Sequence, residues 1–60
     1  MDTHITVGPA VEDGWRCVDD AGRPVFLPRE VVDAVVRDLR VGQRLTAEVS
    51  GGAATRASLA

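Results

Sequence analysis

The side chains that most often perform catalysis or bind metals are few in this chain. His4 is the only histidine and Cys17 the only cysteine. A zinc site needs three or four protein ligands, mostly from these two residue types. A nucleophilic cysteine needs a base paired with it, and the one histidine is distant from Cys17 in sequence. We therefore expect no metal site, no cofactor and no enzymatic activity.

Two other motifs resemble functional ones but are more typical of turns. The adjacent acids Asp19 and Asp20 precede Ala21–Gly22, and Asp and Gly at these positions suit Asx turns and positive φ angles. The pair Gly51–Gly52 lacks the lysine and the spacing of a phosphate-binding loop. We interpret both segments as connections between strands.

Length and charge limit the function further. Sixty residues with a net charge of −2 and a pI near 5.1 make one small domain, spanning 1–60. Domains that bind nucleic acid tightly usually have a pI above about 9. Any nucleic-acid binding must therefore depend on a local patch. All seven Lys and Arg residues are arginines, and arginine forms paired hydrogen bonds to phosphate.

The sequence also predicts a location. An unpaired cysteine favours a reducing compartment, and no apolar run approaches the roughly 18 residues of a membrane span. The first ten residues lack the basic and apolar regions of a signal peptide. We expect a cytoplasmic protein without a membrane partner.

Five segments have the β-branched composition or the alternation of β-strands. The clearest is 44–49, where Leu45, Ala47 and Val49 alternate with polar residues. Gly8–Pro9 is expected to end the first strand. The predicted strands are 3–7, 14–18, 24–28, 44–49 and 54–59.

Residues 30–40 change period and predict a helix within 29–40. Their apolar positions form one stripe, made of Val31, Val32, Val35, Val36 and Leu39. The stripe can cap the open end of the core, or it can pair with a second copy or a protein partner. We prefer capping and a monomer, because a small domain needs every apolar contact.

The resulting order, β-β-β-α-β-β, is that of a small all-β barrel of the OB type with one short helix between strands 3 and 4. Four segments carry a resemblance to a known family. Residues 39–49 are similar to the Leu, basic residue, Gly-Gln and strand ending in Glu-Val of the cold-shock domain. Residues 25–27 are similar to its second ribonucleoprotein motif, 14–18 occupy the place of its first, and 57–59 stand where the family has Ala-Asn-Val. The chain therefore resembles a divergent cold-shock domain.

The chain departs from this family at its aromatic positions. Residues 8–10 stand where the family has Lys-Trp-Phe, and Cys17 replaces the second Phe of the first motif. Pro28 and Arg29 replace the His and Phe of the second motif. The remaining aromatic residues are Trp15 and Phe26.

The resemblance implies weak, largely sequence-independent binding of single-stranded RNA or DNA. Aromatic side chains would stack on bases and arginines would contact phosphates. The implied binding residues are Trp15, Phe26, Arg16, Arg29, Arg44 and Arg56.

Two alternatives stay open. A slip of one residue in strand register exchanges the two faces of a strand. Trp15 and Phe26 are therefore either on the surface or in the core. If Arg16 turns outward, Trp15 and Cys17 turn inward. The four arginines are alternatively an ordinary solvated surface. The alternative function is a protein-interaction module that kept the OB barrel and lost the stacking face.

Overall fold

The computed structural model of the chain describes residues 2–32 and 39–59. It contains five strands and one short helix in the predicted order. These are β1 (Asp2–Val11), β2 (Gly14–Asp19), β3 (Pro24–Pro28), α1 (Arg29–Val32), β4 (Arg44–Ser50) and β5 (Ala53–Leu59).

The strands close into a barrel in the order β1-β2-β3-β5-β4, with β4 returning to β1. Neighbouring strands are antiparallel except β3 and β5, which are parallel and pair at Phe26 and Ala53. The backbone N–H of Phe26 also donates a hydrogen bond to the carbonyl of Gly52 at 2.9 Å. This bond stabilises the short pairing of β3 with β5 that closes the barrel. The predicted fold class, a small all-β barrel of the OB type, is confirmed.

The core is built mainly from aliphatic side chains, as the scarcity of aromatic residues requires. Alternation along β4 buries Leu45 and Ala47, as predicted, and leaves Val49 half-buried. Full burial of a Val, Leu or Ile side chain contributes about 1.5–3 kcal/mol. The buried core residues are Ile5, Val7, Trp15, Cys17, Val25, Leu27, Val32, Leu45, Ala47 and Ala54.

Strand β1 is longer than predicted, and the expectation that Gly8–Pro9 ends it is wrong. The register of β1 against β2 shifts between Val7 and Ala10, and pairing resumes through Val11. Proline lacks a backbone N–H but is tolerated at such a bulge. A Cβ on Gly8 would overlap the carbonyl of Arg16, so this close approach requires glycine. The pair bends the strand without ending it.

The predicted turns are present. The Asp19 carboxylate accepts hydrogen bonds from the backbone N–H groups of Ala21 and Arg23, at 2.9 and 2.8 Å. This is the Asx geometry that an aspartate favours at the start of a turn. Gly51 and Gly52 have φ angles of 61° and 81°, values typical of a two-residue hairpin turn.

The structure has a helix within the predicted range of 29–40. Helix α1 follows β3 directly, but Leu39 and Arg40 are not helical. The backbone of Arg40 instead bonds to Gln43, whose N–H donates to the Arg40 carbonyl at 3.0 Å. Val35 and Val36 of the predicted stripe lie outside the described residues. No helix within 2–32 and 39–59 is long and apolar enough to cross a membrane.

The apolar stripe packs on the barrel at the positions that the structure describes. Val32 is only 2% exposed and belongs to the core. Val31 and Leu39 are partly buried against the same core, and α1 contacts β2, β3 and β5. This packing is what the capping hypothesis requires of these three residues.

Candidate nucleic-acid interface

The pairing of β2 with β3 determines which side chains face outward. Trp15 lies opposite Leu27 and Cys17 opposite Val25, and all four are buried. Arg16 lies opposite Phe26. Because side chains alternate between the two faces of a strand, Arg16 and Phe26 share the outer face of the barrel. The sequence had left this choice of face open.

Trp15 is part of the core. Its side chain is 8% exposed, and the Arg29 guanidinium lies over its ring, 5.0 Å from the centroid. This is cation–π geometry, so Arg29 covers the ring that the resemblance would offer to a base. Of the two orientations considered for Trp15, surface and core, the structure has the core one. Trp15 is therefore not exposed for stacking on a base.

Phe26 is half-buried and borders two shallow depressions of the outer surface. We call this surface the Phe26 face and define it by the outward residues of β2 and β3. Val18 on this face is 44% exposed, a high value for a valine on a strand. The members of the Phe26 face are Arg16, Val18, Pro24, Phe26 and Pro28.

The first depression adjoins the turn between β4 and β5. It has a volume of about 410 Å³ and is lined by Arg16, Cys17, Pro24, Val25, Phe26 and Gly52. The strand 2–3 surface and the adjoining β4–β5 loop are the region where OB barrels bind oligonucleotides. One ring, one guanidinium and a glycine loop therefore meet at the position where this fold binds such ligands.

The second depression lies at the other end of Phe26, beside the start of α1. It has a volume of about 510 Å³ and is lined by Phe26, Asp13, Pro28, Arg29 and Glu30. The backbone N–H of Arg29 donates to the carbonyl of Asp13 at 2.9 Å. This bond ties the β1–β2 turn to α1 and keeps the charged residues of both segments on one rim.

Charges are distributed unevenly over this side of the barrel. Arg16 is the only charged member of the Phe26 face, and within residues 2–32 and 39–59 it forms no ion pair. In the β2–β3 turn beyond it, Arg23 Nε lies 3.0 Å from Asp19 Oδ2, so these two charges offset each other. The hydrogen bonds from Arg23 and Ala21 hold the pKa of Asp19 below its usual value. The outward residues that define the Phe26 face thus include one positive charge and no carboxylate.

The other two predicted arginines lie elsewhere. Arg44 Nη2 is 2.9 Å from Asp20 Oδ1, and Asp20 also approaches His4, at 4.0 Å. Arg56 on β5 lies opposite Glu48, in a groove that Asp2 also lines. The structure therefore brings Arg16, Arg29 and Phe26 together and separates Arg44 and Arg56 from them.

Some residues of the site were not predicted from the sequence. Pro24 and Pro28 flank Phe26 on the outer face, and the alternation of Pro24, Phe26 and Pro28 with Val25 and Leu27 was the available signal. Prolines in strands conceal this signal, because they are usually interpreted as strand ends.

Cys17 is buried in the core beneath the Phe26 face. Burial raises the pKa of its thiol, and the Gly8 backbone acts in the opposite direction. Reactive cysteines are partly exposed and have lowered pKa values, so Cys17 has the environment of a structural residue. In the described part of the chain, no three His, Cys, Asp or Glu side chains are grouped so that they could hold a metal ion.

Comparisons with protein-family models, curated proteins and solved structures find no match to this chain. The fold assignment therefore depends on the strand order and register of the barrel itself.

Proposed function

We propose that this chain binds single-stranded RNA or DNA weakly and without strong sequence preference, through the Phe26 face. The resemblance to the cold-shock domain suggests the ligand class. The observation that carries the proposal is the outward pairing of Arg16 with Phe26. A base can stack on the ring while the neighbouring guanidinium contacts its phosphate. The lone buried cysteine favours a cytoplasmic location for this activity.

The expected affinity is low. Stacking contributes about 1–3 kcal/mol per base, and with Trp15 buried only one ring is on the surface. The net charge of −2 adds no general attraction to a polyanion. We expect a dissociation constant in the micromolar range or higher. Each protein molecule should contact only a few nucleotides.

Amide chemical shifts of the ¹⁵N-labelled chain, followed during titration with oligo-dT at low salt, test the proposal. Shifts should concentrate at 14–18, 24–28 and 51–52. Phe26→Leu preserves an apolar side chain but removes the ring, and it should weaken binding by at least about fivefold, the low end of one stacking contribution.

Leu59→Ala serves as the matched control, since Leu59 is 59% exposed on β5, and it should leave binding unchanged. Absence of shifts at millimolar oligonucleotide, or shifts spread evenly over the barrel, would contradict the proposal.

A protein-interaction module is the second candidate, and a specific observation favours it. Besides its one ring, the Phe26 face has other apolar side chains: Val18 and Pro24 are exposed, and Pro28 is half-buried. Apolar patches of this kind also occur at protein interfaces. If oligonucleotides cause no shifts while Val18→Asp abolishes capture of a defined protein ligand, the module is the better description.

A further inference from the structure

The side chain of Arg29 is held at both of its ends. Its backbone N–H donates to the carbonyl of Asp13 at 2.9 Å, and its guanidinium lies over the Trp15 ring, 5.0 Å from the centroid. Trp15 is itself fixed in the core, opposite Leu27. The guanidinium therefore has a defined position although Arg29 is an exposed residue.

The contact with the ring leaves the hydrogen-bond donors of this guanidinium unused. A cation–π contact attracts the charge of a guanidinium and supplies no acceptor atom to its N–H groups. Within residues 2–32 and 39–59, the Arg29 side chain forms no hydrogen bond and no ion pair. Arg44 differs, because its Nη2 already donates to Asp20 Oδ1 at 2.9 Å. Arg29 can donate to an anion without first leaving a carboxylate.

The ring also keeps Arg29 apart from two carboxylates. Asp13 and Glu30 line the same depression as Phe26 and Arg29, yet neither forms an ion pair with the guanidinium. A guanidinium released from the ring would be attracted to both carboxylates, and pairing with one of them would neutralise it. The ring thus preserves a positive charge beside Phe26 that the neighbouring acids would otherwise cancel.

We infer that Trp15 is a positioning residue for phosphate binding, because its ring holds Arg29 where the guanidinium contacts the bound strand. Arg16 lines the first depression beside Phe26 and Arg29 lines the second. A strand whose base stacks on Phe26 therefore meets one guanidinium in each depression. A side chain that is already held in place loses less conformational entropy on binding. This inference rests on the proposed function, and it gives a binding role to a residue that the ligand does not touch.

The contact of Arg29 with phosphate is tested first. Fluorescence anisotropy of labelled oligo-dT at low salt gives the affinity of each variant. Arg29→Ala should weaken binding by about three- to fivefold, the loss of one exposed charged hydrogen bond. The logarithmic salt dependence should become shallower by about 0.7, the value for one phosphate contact on a single strand.

Trp15→Leu tests the positioning role, since it removes the ring and fills part of its volume. It should weaken binding about as much as Arg29→Ala does. The double variant Trp15→Leu/Arg29→Ala should bind no more weakly than Arg29→Ala, because both changes remove the same contact. Amide spectra at low temperature give the folded fraction, to which every affinity is referred. Leu27→Val is the matched control, because it alters the core opposite Trp15 without touching the ring, and it should leave the affinity unchanged.

Trp15→Phe provides the same cycle in a milder form. It keeps a smaller ring that attracts a cation less strongly than indole does, so its affinity should lie between those of the unaltered chain and Trp15→Leu. If Trp15→Leu does not fold, the double variant Trp15→Phe/Arg29→Ala replaces it in the comparison with Arg29→Ala.

Removal of the competing carboxylates gives a readout that a merely structural role of Trp15 would not change. The double change Asp13→Asn/Glu30→Gln leaves the depression without a carboxylate to capture Arg29. It should improve oligo-dT binding in any background, because it removes negative charge. The improvement should be at least about twofold larger in Trp15→Leu, or in Trp15→Phe if that variant replaces it, than in the unaltered chain.

The outcomes separate this inference from the proposed function. If Arg29→Ala binds like the unaltered chain while Arg16→Ala is weakened, the inference is overturned and the proposed function stands. Additive losses from the changes at Trp15 and Arg29, or equal improvement by Asp13→Asn/Glu30→Gln in both backgrounds, also overturn the inference alone. Absence of oligo-dT binding by the unaltered chain overturns both.

Discussion

An arginine lies on each of two outer surfaces of the barrel, but the residues that surround it differ in charge. On the β2–β3 side, Arg16 faces Phe26 across the ladder. On the β4–β5 side, Arg56 faces Glu48, and Glu48 in turn faces Asp2 on β1. One surface therefore places an arginine beside an aromatic ring, and the other places an arginine beside two carboxylates. The cross-strand register, rather than the composition, determines which arginine can bind a polyanion.

The difference between the two surfaces depends on which face of β2 turns inward. The substitution with the largest expected effect is therefore at Trp15. If the Phe26 face exists because Trp15 turned inward, Trp15→Ala should destabilise the fold by about 3–5 kcal/mol. A 60-residue domain has only about 3–9 kcal/mol in total, so the variant should be largely unfolded. Urea denaturation followed by far-ultraviolet circular dichroism measures the change.

Val18→Ala is the control on the outer side of the same strand. It removes methyl groups that are already partly in water, and it should change the free energy of unfolding by about 0.5 kcal/mol or less. If Trp15→Ala costs no more than Val18→Ala, the inward orientation is wrong and β2 presents the tryptophan outside.

Both surfaces lie over the same core, and α1 covers one end of it through Val32. A substitution of Val32 tests whether this packing stabilises the fold. Val32→Asp places an unpaired charge among buried aliphatic side chains, which costs several kcal/mol, about the whole stability of the domain. We expect an unfolded chain by circular dichroism at every protein concentration. Val41→Asp, at a position 74% exposed, should remain folded.

The contrary result is equally informative. A folded Val32→Asp variant that differs only by losing self-association in sedimentation would make α1 an interface between copies. The monomer expected from the sequence would then be wrong.

The comparison itself is tested by exchanging its arginines for alanine. Arg16→Ala should weaken oligo-dT binding by roughly three- to fivefold, since a charged hydrogen bond contributes about 1 kcal/mol when exposed. The logarithmic salt dependence should also become shallower by about 0.7, the value for one phosphate contact on a single strand. Fluorescence anisotropy of a labelled oligonucleotide measures both quantities.

Arg56→Ala is the matched control on the acidic surface. It should leave the affinity and the salt dependence as they are, because Glu48 and Asp2 repel phosphate there. Equal losses in both variants would mean that binding is spread over the barrel and that the two surfaces do not differ. Trp15 emission should change little in either titration, because Arg29 covers the ring.

The sequence predicted the framework because most of its signals were local. The alternation at 44–49, the glycines at 51–52 and the Asp19 turn each determine their own segment, and the structure has all three. The end of β1 was misplaced because Gly8–Pro9 is a strong local signal for termination. Pairing with β2 on the far side of the bulge is a tertiary effect, and it continues the strand to Val11.

The site was harder to predict than the fold, for a physical reason. Whether Trp15 or Arg16 faces inward depends on the pairing of β2 with β3, and both faces of that strand contain apolar residues. Composition likewise cannot distinguish Arg16 from Arg44, since only the structure places Asp20 2.9 Å from the Arg44 guanidinium. The six residues predicted from the resemblance therefore divide into one group around Phe26, a core residue and two arginines elsewhere.

The smallest expected effect concerns the turns that hold each surface in register. The β4–β5 turn uses two glycines, whereas the β2–β3 turn uses the Asp19 carboxylate. The pKa of Asp19 is lowered in the folded chain, first by the Arg23 N–H and also by Ala21 and the Arg23 side chain. Its charged form therefore stabilises the fold above the ordinary Asp pKa of about 3.9. This stabilisation is lost as the pH falls through the lower folded value.

Asp19→Asn keeps an acceptor oxygen for the two backbone N–H groups but removes the charge. The melting temperature of the unaltered chain should exceed that of Asp19→Asn at pH 7, and the difference should shrink below pH 4 as the carboxylate is protonated. Asp19→Ala loses the acceptor as well, so it should lie below Asp19→Asn by an amount that does not depend on pH. A difference between the unaltered chain and Asp19→Asn that is constant from pH 7 to pH 2 would show that the β2–β3 turn, like its β4–β5 counterpart, holds its strands without charge.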